Sequence, residues 1–523
     1  LTVQAAEGFY RETPFVSTHL EMDIKADIMR WDLRTDSLNI STLTARDKVP
    51  VVFESHEYYN EERFNSLSQM YGFHPLIMAV SYGRKNNTLS FYTYDMARDT
   101  QQNEKTLRAA MKDLMARGFV NYDLQTGLIT LKKKAIHYTL AKGRRVDYDN
   151  LLMASFEENG PNATIKLDSK ELTMRGINQF EVSEELGVSI EPNNDEVTML
   201  GDRNFRFNGK LTSGNFEFVG EGFTFNYDSF KIEMPKIDSI SFYLPDEKGN
   251  RKKVDNSLQN ANQDESFIDK MGDGFKQTSG TLYINDPKNK SARTMIPDYP
   301  KFDAQNGAIV YFDKPTILDG AYDKSMYFVI PPFAIDSLSN ADPATIGFDG
   351  TFYSEILPAF EAKLQVMPDN SMGFEHKVAA QGYQLYDGSG IYKNQLRLDA
   401  EGLRGLGTID FLTSVMESED FIFYMDSVIT QGTVAEIQEG SIGNTTFPQA
   451  YVVDYSMKWL PGVDSMYISN NAEPFEFYNQ TASMDGSAIL TESGGLLGSG
   501  TLFTRGSEAT SEQMQFEQTR FGA

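Results

Sequence analysis

From about residue 150 onward the chain repeats apolar side chains at every second position, and this period of two limits what it can fold into. The runs FTFNY at 223–227, FKIEM at 230–234 and ISFYL at 240–244 all show it. Successive side chains of a strand point to opposite faces, so this alternation is typical of strands with one buried face. Glycine, asparagine and aspartate separate the runs, as turn residues do. The sequence therefore predicts a mainly β fold over most of its length.

A segment at 57–148 has a different periodicity and follows a β segment at 1–56. Residues 57–71 and 103–117 have helical character. In the second of these, the apolar residues fall on one helix face, and Gly118 follows where a left-handed C-cap would lie. The sequence predicts at least two helices in this segment.

A hairpin is expected directly after the second predicted helix. The strand-like runs 119–122 and 128–131 are joined by DLQTG at 123–127, which has the composition of a hairpin turn. Helices followed by a hairpin predict a small α+β, winged-helix-like insert in an otherwise β chain.

The rest of the chain is predicted to consist of β-units. The glycine-rich segments GLRGLGT at 402–408 and GLLGSGT at 495–501 match each other 93 residues apart, and each follows a strand-like run. The irregular spacing of similar segments predicts duplicated units, either solenoid or jellyroll or sandwich-like, rather than a strict repeat. The predicted units are 149–245, 304–400 and 401–523, the last continuing beyond the chain end, with a hairpin and loop insertion at 246–303.

Composition excludes several classes of chemistry. The chain has no cysteine, which excludes disulfides, thiolate nucleophiles, iron–sulfur clusters and cysteine-ligated zinc. The 48 Lys+Arg against 74 Asp+Glu give a net charge of −26, and 40% hydrophobic residues indicate packed cores rather than disorder. No apolar run reaches the roughly 18 residues of a transmembrane helix. These features favour a periplasmic, outer-membrane-associated or extracellular location, and the start at Leu1 suggests a piece of a longer protein.

The sequence lacks the motifs of common active sites. No two of the five histidines lie three or four residues apart, as zinc ligands on a helix would. EGSIG at 439–443 lacks the first glycine of a serine-nucleophile elbow, and the two glycine-rich segments lack the P-loop lysine. Clustered acids such as those at 417–420 are expected by chance, although a glycosidase pair or a surface calcium site stays open. We therefore predict no catalytic residue, no cofactor and no metal site.

A basic patch stands out against the acidic background. Residues 101–150 hold ten Lys+Arg and five Asp+Glu, a net charge of +5. Such cations could contact phosphates of nucleic acid or anionic lipid, or form a solvated face against an acidic neighbour. The candidate anionic-ligand patch comprises Lys132, Lys133, Lys134, Lys142, Arg144 and Arg145.

An aromatic stripe offers a second candidate site. Large aromatic residues alternate along two consecutive strand-like runs, where they could line an apolar groove for lipid or stack on sugars, or could simply form core. The stripe comprises Phe216, Phe218, Phe223, Phe225 and Tyr227.

Short segments along the chain carry a resemblance to a known family. They are GDRNF at 201–205, FNG at 207–209, GNF at 214–216, FTFNY at 223–227, the run 230–239, PDYP at 297–300 and GLRGLGT at 402–408. They resemble recurring blocks of large, mostly uncharacterised β-repeat envelope proteins of Bacteroidota. This resemblance implies an envelope location and brings no catalytic residues. By pattern alone, the glycine-punctuated strands are also similar to the β-jellyroll domains that pass lipopolysaccharide across the periplasm.

Three functions follow as hypotheses. The first is a non-enzymatic envelope or cell-surface structural or binding protein, whose partners are other envelope proteins or the rest of its own longer chain. The second is a lipid or glycolipid carrier with an apolar β-groove. The third is a carbohydrate-active enzyme on a β scaffold, which would need two carboxylates about 5–10 Å apart. Lipid and glycan are thus the candidate ligands, and nucleic acid is not expected.

Overall fold

A computed structural model of the chain describes residues 2–4, 13–42, 49–157, 159–245, 251–254, 258–259, 278–339 and 345–522. The protein is mainly β, with 50% strand, 13% helix, large antiparallel sheets and a few short helices near the N-terminal region. The predicted mainly β fold is confirmed at this level. Much of the predicted loop insertion at 246–303 lies outside the described residues.

Five helices lie in the segment that was predicted to be helical. They are α1 (Glu61–Ser66), α2 (Pro75–Lys85), α3 (Thr93–Thr100), α4 (Glu104–Ala116) and α5 (Lys133–Lys142).

The strands of the first half of the chain include one long pair, β16 and β17. In chain order they are β1 (Thr2–Gln4), β2 (Phe15–Ser17), β3 (Met22–Lys25), β4 (Ile28–Asp32), β5 (Ser37–Ser41), β6 (Val51–Ser55), β7 (Ser90–Tyr92), β8 (Val120–Tyr122), β9 (Leu128–Leu131), β10 (Leu152–Ser155), β11 (Ala163–Lys166), β12 (Leu172–Met174), β13 (Phe180–Ser183), β14 (Val188–Pro192), β15 (Val197–Gly201), β16 (Asn204–Ser213), β17 (Phe216–Asn226), β18 (Lys231–Met234), β19 (Lys236–Pro245), β20 (Arg251–Lys253) and β21 (Leu258–Gln259).

The strands of the second half are longer on average, many of them with nine to eleven residues. They are β22 (Gly280–Tyr283), β23 (Lys301–Ala304), β24 (Ala308–Tyr311), β25 (Tyr327–Ile330), β26 (Phe333–Ile335), β27 (Gly347–Tyr353), β28 (Phe360–Val366), β29 (Met372–Lys377), β30 (Tyr383–Leu385), β31 (Gly390–Asp399), β32 (Gly402–Phe411), β33 (Ser414–Phe423), β34 (Val428–Ile437), β35 (Gly440–Ile442), β36 (Thr445–Phe447), β37 (Ala450–Leu460), β38 (Ser465–Asn470), β39 (Phe475–Phe477), β40 (Ala482–Thr491), β41 (Gly495–Thr504), β42 (Glu508–Phe516) and β43 (Phe521–Gly522).

The chain forms two compact units. Unit 1 comprises Leu1–Phe242, Asn260–Asn306 and Pro332–Ala341. Its main sheet is antiparallel and runs β1-β4-β5-β11-β12-β15-β16-β17-β18-β22-β23-β26, with β14 beside β16 and β13 beside β14. A second sheet has the order β10-β6-β3-β2 and a third the order β7-β9-β8.

The helical part of unit 1 has its own buried cluster. Leu107, Ala110, Met111 and Leu114 of α4 are buried in it, as the helical spacing of these residues predicts. Asn103 caps the helix by accepting hydrogen bonds from the backbone N–H groups of Lys105 and Thr106, at 2.9 and 3.2 Å.

The end of α4 and the following hairpin match the sequence prediction. Gly118 adopts the left-handed conformation (φ +78°) just past the end of α4. Strands β8 and β9 then pair around the turn at 123–127, where Gly127 is also left-handed (φ +74°). The predicted helix at 57–71 is reduced to α1, and α2, α3 and α5 were not predicted.

Unit 2 comprises Tyr243–Gln259, Gly307–Pro331 and Asp342–Ala523. Its main sheet is an antiparallel meander in the order β24-β25-β27-β28-β29-β31-β32-β33-β34-β37-β38-β40-β41-β42-β43. Strand β39 pairs with both β37 and β40. One face of the meander carries large buried side chains, such as Phe421, Phe423 and Trp459, each 0% exposed. We call the opposite face the outer face.

The two matched glycine-rich segments each begin a ten-residue strand of unit 2. They form β32 and β41, and each strand begins at the first glycine of its segment, Gly402 or Gly495, with positive φ (97° and 69°). The last glycines, Gly407 and Gly500, also share an unusual backbone (φ 151° and 145°), and each follows a register shift in the pairing with the next strand. The two segments therefore bend their strands in the same way.

Candidate functional site

The central lysine of the predicted basic patch is buried in unit 1. Lys134 has a side chain only 6% exposed, and its Nζ lies 2.8 Å from Asp23 Oδ2 and 2.6 Å from Glu54 Oε1. Arg63 lies 2.5 Å from the other oxygen of Glu54. Burial acts to raise the pKa of Asp23, but His56 and Lys134 outweigh it, so the pKa lies below the usual 3.8. Lys134 is therefore a buried cation shared by two carboxylates, which Arg63 helps to neutralise, and it is not exposed on the protein surface.

The other five cations of the patch do not form one surface with Lys134. Lys132 is half-buried, and burial lowers its pKa. Lys142 pairs with Glu61. Lys133, Arg144 and Arg145 are exposed, and only Arg145 among the six lines the 570 Å³ cavity between α2 and α5. The structure thus divides the predicted patch into a buried ion-pair centre and scattered surface charges.

The predicted aromatic stripe lies in the core of unit 1. Four of its side chains are 0% exposed and Tyr227 is 2% exposed. Phe218 packs on Phe302 and Phe225 on Phe205, with ring centroids 4.7 Å apart in each pair. The residues concerned are Phe216, Phe218, Phe223, Phe225 and Tyr227, and we assign them to packing rather than to a groove, because they have no open face for a lipid or a sugar.

Tyr227 ends the stripe in a buried polar network. Its hydroxyl oxygen lies 2.7 Å from Asp149 Oδ2 and 2.9 Å from Glu57 Oε2. Asp149 is completely buried and also accepts hydrogen bonds from the Ser55 hydroxyl at 2.6 Å and the Leu151 backbone N–H at 3.0 Å. Burial raises the pKa of Asp149 above the usual 3.8, and its hydrogen bonds oppose that shift. Protein donors occupy both oxygens of Asp149, so this carboxyl has a structural role.

The same network closes the two ends of the helical segment. The Asp149 backbone N–H donates to the Glu57 carbonyl, and the Tyr59 N–H donates to the Asp149 carbonyl, each at 3.2 Å. The Arg203 guanidinium lies 3.6 Å from the centre of the Tyr227 ring and pairs with Glu57 at 3.4 Å. Burial acts to raise the pKa of Glu57, but Arg203 and Tyr227 bring it below 4.5. These contacts fasten the segment onto the β part of unit 1.

Removal of one hydroxyl tests this anchor. We expect Tyr227→Phe to lower the free energy of unfolding of unit 1 by about 2 kcal/mol, because a hydrogen bond to a buried carboxyl group is lost. The measurement is urea unfolding of the full chain in a Trp459→Phe background, where Trp31 in unit 1 is the only tryptophan. Tyr94→Phe is the matched control, since Tyr94 is 50% exposed. Equal stability of the two variants would contradict the anchoring role.

The histidines make local contacts within each unit. His74 caps α2 by accepting from the Ile77 N–H at 3.3 Å, and His137 lies 3.0 Å from the Glu57 carbonyl oxygen. His376 lies 2.8 Å from the Tyr383 hydroxyl. In the described part of the chain, no three His, Asp or Glu residues are grouped so as to hold a metal ion.

Among the helices described, none has the length and apolar character needed to cross a membrane.

The outer face of the unit 2 sheet carries an open trough of about 880 Å³. One wall is an apolar row in which each residue is directly opposite the next on the neighbouring strand. Tyr467 and Ile429 in this row are 41% and 37% exposed. We call this set the apolar row, although its member on β37 is a lysine. It consists of Ile422, Ile429, Lys458, Tyr467, Ile489 and Leu497, of which the last extends past the trough.

A hydroxyl row runs parallel to the apolar row, two residues away on each strand from β34 to β41. Its members are also directly opposite one another across the strands. At the usual strand spacing the row is ~19 Å long. Within the described chain, the hydroxyls of Ser469, Ser487 and Ser499 have no hydrogen-bond partner in the protein. The hydroxyl row consists of one glutamine and four serines, Gln431, Ser456, Ser469, Ser487 and Ser499, of which the last extends past the trough.

Three charged residues complete the trough. Lys458 lies within the apolar row, and Glu419 and Asp420 line the end at β33. Arg404 pairs with Asp420 at 2.5 Å. The trough therefore presents apolar, hydroxyl, amide and charged groups side by side, and it is the candidate functional site of unit 2.

Comparison with known proteins identifies no relative. No family model, no curated protein and no solved structure matches the chain.

Proposed function

We propose that this chain is a non-enzymatic structural and binding protein of the cell envelope or cell surface, and that the trough of unit 2 binds glycan. In this proposal repeated β-units form the body, with a small winged-helix-like insert, and other envelope proteins or further parts of its own chain are partners. The observation that carries the proposal is the register-matched pair of the apolar row and the hydroxyl row. The cysteine-free composition and the resemblance to envelope proteins support the location, which is periplasmic, outer-membrane-associated or extracellular.

The trough must recognise its ligand through side chains alone. Each strand from β34 to β41 that contributes to both rows is paired on both sides, as β37 is with β34 and β38. Their backbone groups are therefore used within the sheet, and a peptide could not add to these strands by main-chain pairing. This restricts the ligand to a molecule that side chains can bind from above the sheet.

The chemistry of the two rows favours glycan over an acyl chain. A sugar ring has C–H faces that pack on side chains such as Tyr467 and Ile489, and hydroxyl groups that exchange hydrogen bonds with serine and glutamine. An acyl chain would cover the hydroxyl row without satisfying it, and unpaired polar groups are costly to bury. A chain of sugars can extend along both rows at once.

The matched glycines support the repeat part of the proposal. Cβ atoms added at Gly405 and Gly498 would lie 2.9 Å from Phe423 Cε2 and 2.7 Å from Phe516 Cε2, in each case on the strand that follows. In both segments the middle glycine therefore makes room for an aromatic residue of the neighbouring strand, while the last glycine bends the strand. Equivalent roles at matched positions are what duplicated units would retain.

Affinity electrophoresis tests the ligand. We expect retardation of the full chain in native gels that contain one of a panel of soluble glucans, mannans, xylans or O-polysaccharide. Tyr467→Ala should raise the Kd by roughly tenfold, which corresponds to about 1.4 kcal/mol. Phe503→Ala is the matched control, because Phe503 is a 40% exposed aromatic residue of the same sheet outside both rows.

Three outcomes would count against the proposal. Binding to phospholipid vesicles without any retardation would favour the lipid-carrier hypothesis. Release of reducing sugar from a bound polysaccharide would contradict the non-enzymatic part. Equal weakening by Tyr467→Ala and Phe503→Ala would move the binding site away from the trough.

A further inference from the structure

A second cavity, of about 540 Å³, lies in unit 1 between the small sheet and the helices. Strands β3, β6 and β10 contribute one side through Lys25, Glu54 and Leu152, and α1, α4 and α5 contribute the other. The cavity is about the size of a small-molecule site. Its lining is strongly charged, which makes its charge balance informative.

The carboxylates of this cavity are all paired with cations. Asp23 and Glu54 share Lys134, and Glu54 also pairs with Arg63 at 2.5 Å. Asp113 pairs with Arg117 at 3.0 Å. These three carboxylates balance the three cations of their ion pairs, so they contribute no net charge to the cavity.

Two further lysines line the same cavity. Lys25 at the end of β3 and Lys112 on α4 are exposed, and neither has an ion pair within the described residues. The lining therefore has five cations against three carboxylates. An excess of about two positive charges is unusual in a protein whose net charge is −26. Like charges that face one cavity repel each other unless an anion joins them.

We infer that this cavity binds a small dianion, either a phosphate group or a dicarboxylate. Lys25 and Lys112 would contact the ligand, and the ion-paired Arg63, Arg117 and Lys134 would add a positive wall behind it. The paired carboxylates fix these cations in place, which reduces the ordering cost of binding. This inference concerns unit 1 and does not depend on glycan binding at the trough of unit 2.

Titration calorimetry of the full chain with inorganic phosphate, at low ionic strength, tests the inference. We expect one saturable site, weakened by added NaCl because exposed charges are screened. Lys25→Ala and Lys112→Ala should each raise the Kd about tenfold, as expected when one charged hydrogen-bond donor is lost. Lys105→Ala is the matched control, since Lys105 is an exposed lysine of the same helix that does not line the cavity.

Succinate as a second probe distinguishes the two ligand classes. Equal affinity for phosphate and succinate supports recognition of charge, and binding of phosphate alone supports a phosphate site. No saturable heat with either anion overturns the inference, as does an equal effect of Lys105→Ala and Lys112→Ala. Urea unfolding of Lys25→Ala and Lys112→Ala checks that both variants retain the stability of the parent chain.

Discussion

Lys134→Met is expected to lower the free energy of unfolding of unit 1 by about 3–5 kcal/mol, the usual cost of removing one partner from a buried ion pair. The methionine retains most of the length of the unbranched side chain and removes the charge. Asp23 and Glu54, whose side chains are 7% exposed, would then remain ionised in the interior. Arg63 would still pair with Glu54, but Asp23 would keep only His56, at 3.5 Å.

Urea unfolding followed by Trp31 fluorescence, in the Trp459→Phe background, measures this effect. Lys133→Met is the matched control, because Lys133 is the exposed neighbour of Lys134 on α5, and it should change stability by less than about 0.5 kcal/mol. Combining Lys134→Met with Asp23→Asn should restore much of the lost stability, since Glu54 keeps its pair with Arg63 and no unpaired carboxylate then stays buried. A loss below about 1 kcal/mol in the single variant would contradict the role of Lys134.

The pH dependence gives a further check on the same variant. In the parent chain the pKa of Asp23 lies below the usual 3.8, so its pairing stabilises the fold above that pH and is lost as the pH falls through the lowered value. In Lys134→Met, the buried Asp23 has lost its lysine, and its pKa rises. The deficit of the variant should therefore shrink as the pH falls from neutral toward about 4, because Asp23 can then take up a proton.

The mainly β fold could be predicted because alternation is a local property of the sequence. The prediction is less accurate where the backbone reverses which side chains face the core. In β37, alternation predicts one buried face that includes Tyr451, Val453 and Tyr455. Asp454 is left-handed (φ 50°), and Val452 rather than Val453 is buried on its N-terminal side. A single left-handed residue within a strand re-aims the side chains around it, and the apolar pattern does not reveal it.

In the helical segment, too, the features set by local sequence could be predicted and those set by long-range packing could not. The apolar face of α4 and the glycine that follows it are local signals, and they predicted that helix closely. Helix α2 begins at Pro75 with the run PLIMAV, which resembles a short apolar strand, and its residues are ordered by packing against α4 and α5. Packing of this kind depends on residues far away in the chain, so α2 and α5 could not be predicted from local periodicity.

The trough of unit 2 and the charged cavity of unit 1 depend even more than the helices on residues that are far apart in the chain. Alternation places Ile429 and Tyr467 on the outer face, but only the strand register brings them into one row with the hydroxyls beside them. Lys134 lies in a run of three lysines that suggests a surface, whereas Asp23, its partner, is 111 residues away in the chain. The sequence showed clustered charges and exposed apolar residues, but only the fold determines which of these side chains lie next to one another.

Gly407→Ala is expected to destabilise unit 2 by roughly 2–4 kcal/mol, through backbone strain and overpacking. The φ of Gly407 is 151°, which side chains rarely allow, and an added Cβ would lie 2.0 Å from the Lys393 carbonyl oxygen on β31. The contact is with backbone of a central strand, so it cannot be relieved by a change of rotamer. Gly500→Ala should have a similar effect, because its Cβ would lie 2.1 Å from the Asp485 carbonyl oxygen at a φ of 145°.

Trp459 fluorescence during urea unfolding, in a Trp31→Phe background, reports on unit 2 for this prediction, because Trp459 is 0% exposed in its core. Gly462→Ala is the control, since nothing lies within 4 Å of the added Cβ there. It should change stability by less than about 0.5 kcal/mol. Similar losses in Gly407→Ala and Gly500→Ala would show that the matched segments need the same strand bend, which supports their origin as duplicated units. A loss below about 1 kcal/mol in either variant would show instead that the strand can straighten around a side chain and that the glycine match is not a structural requirement.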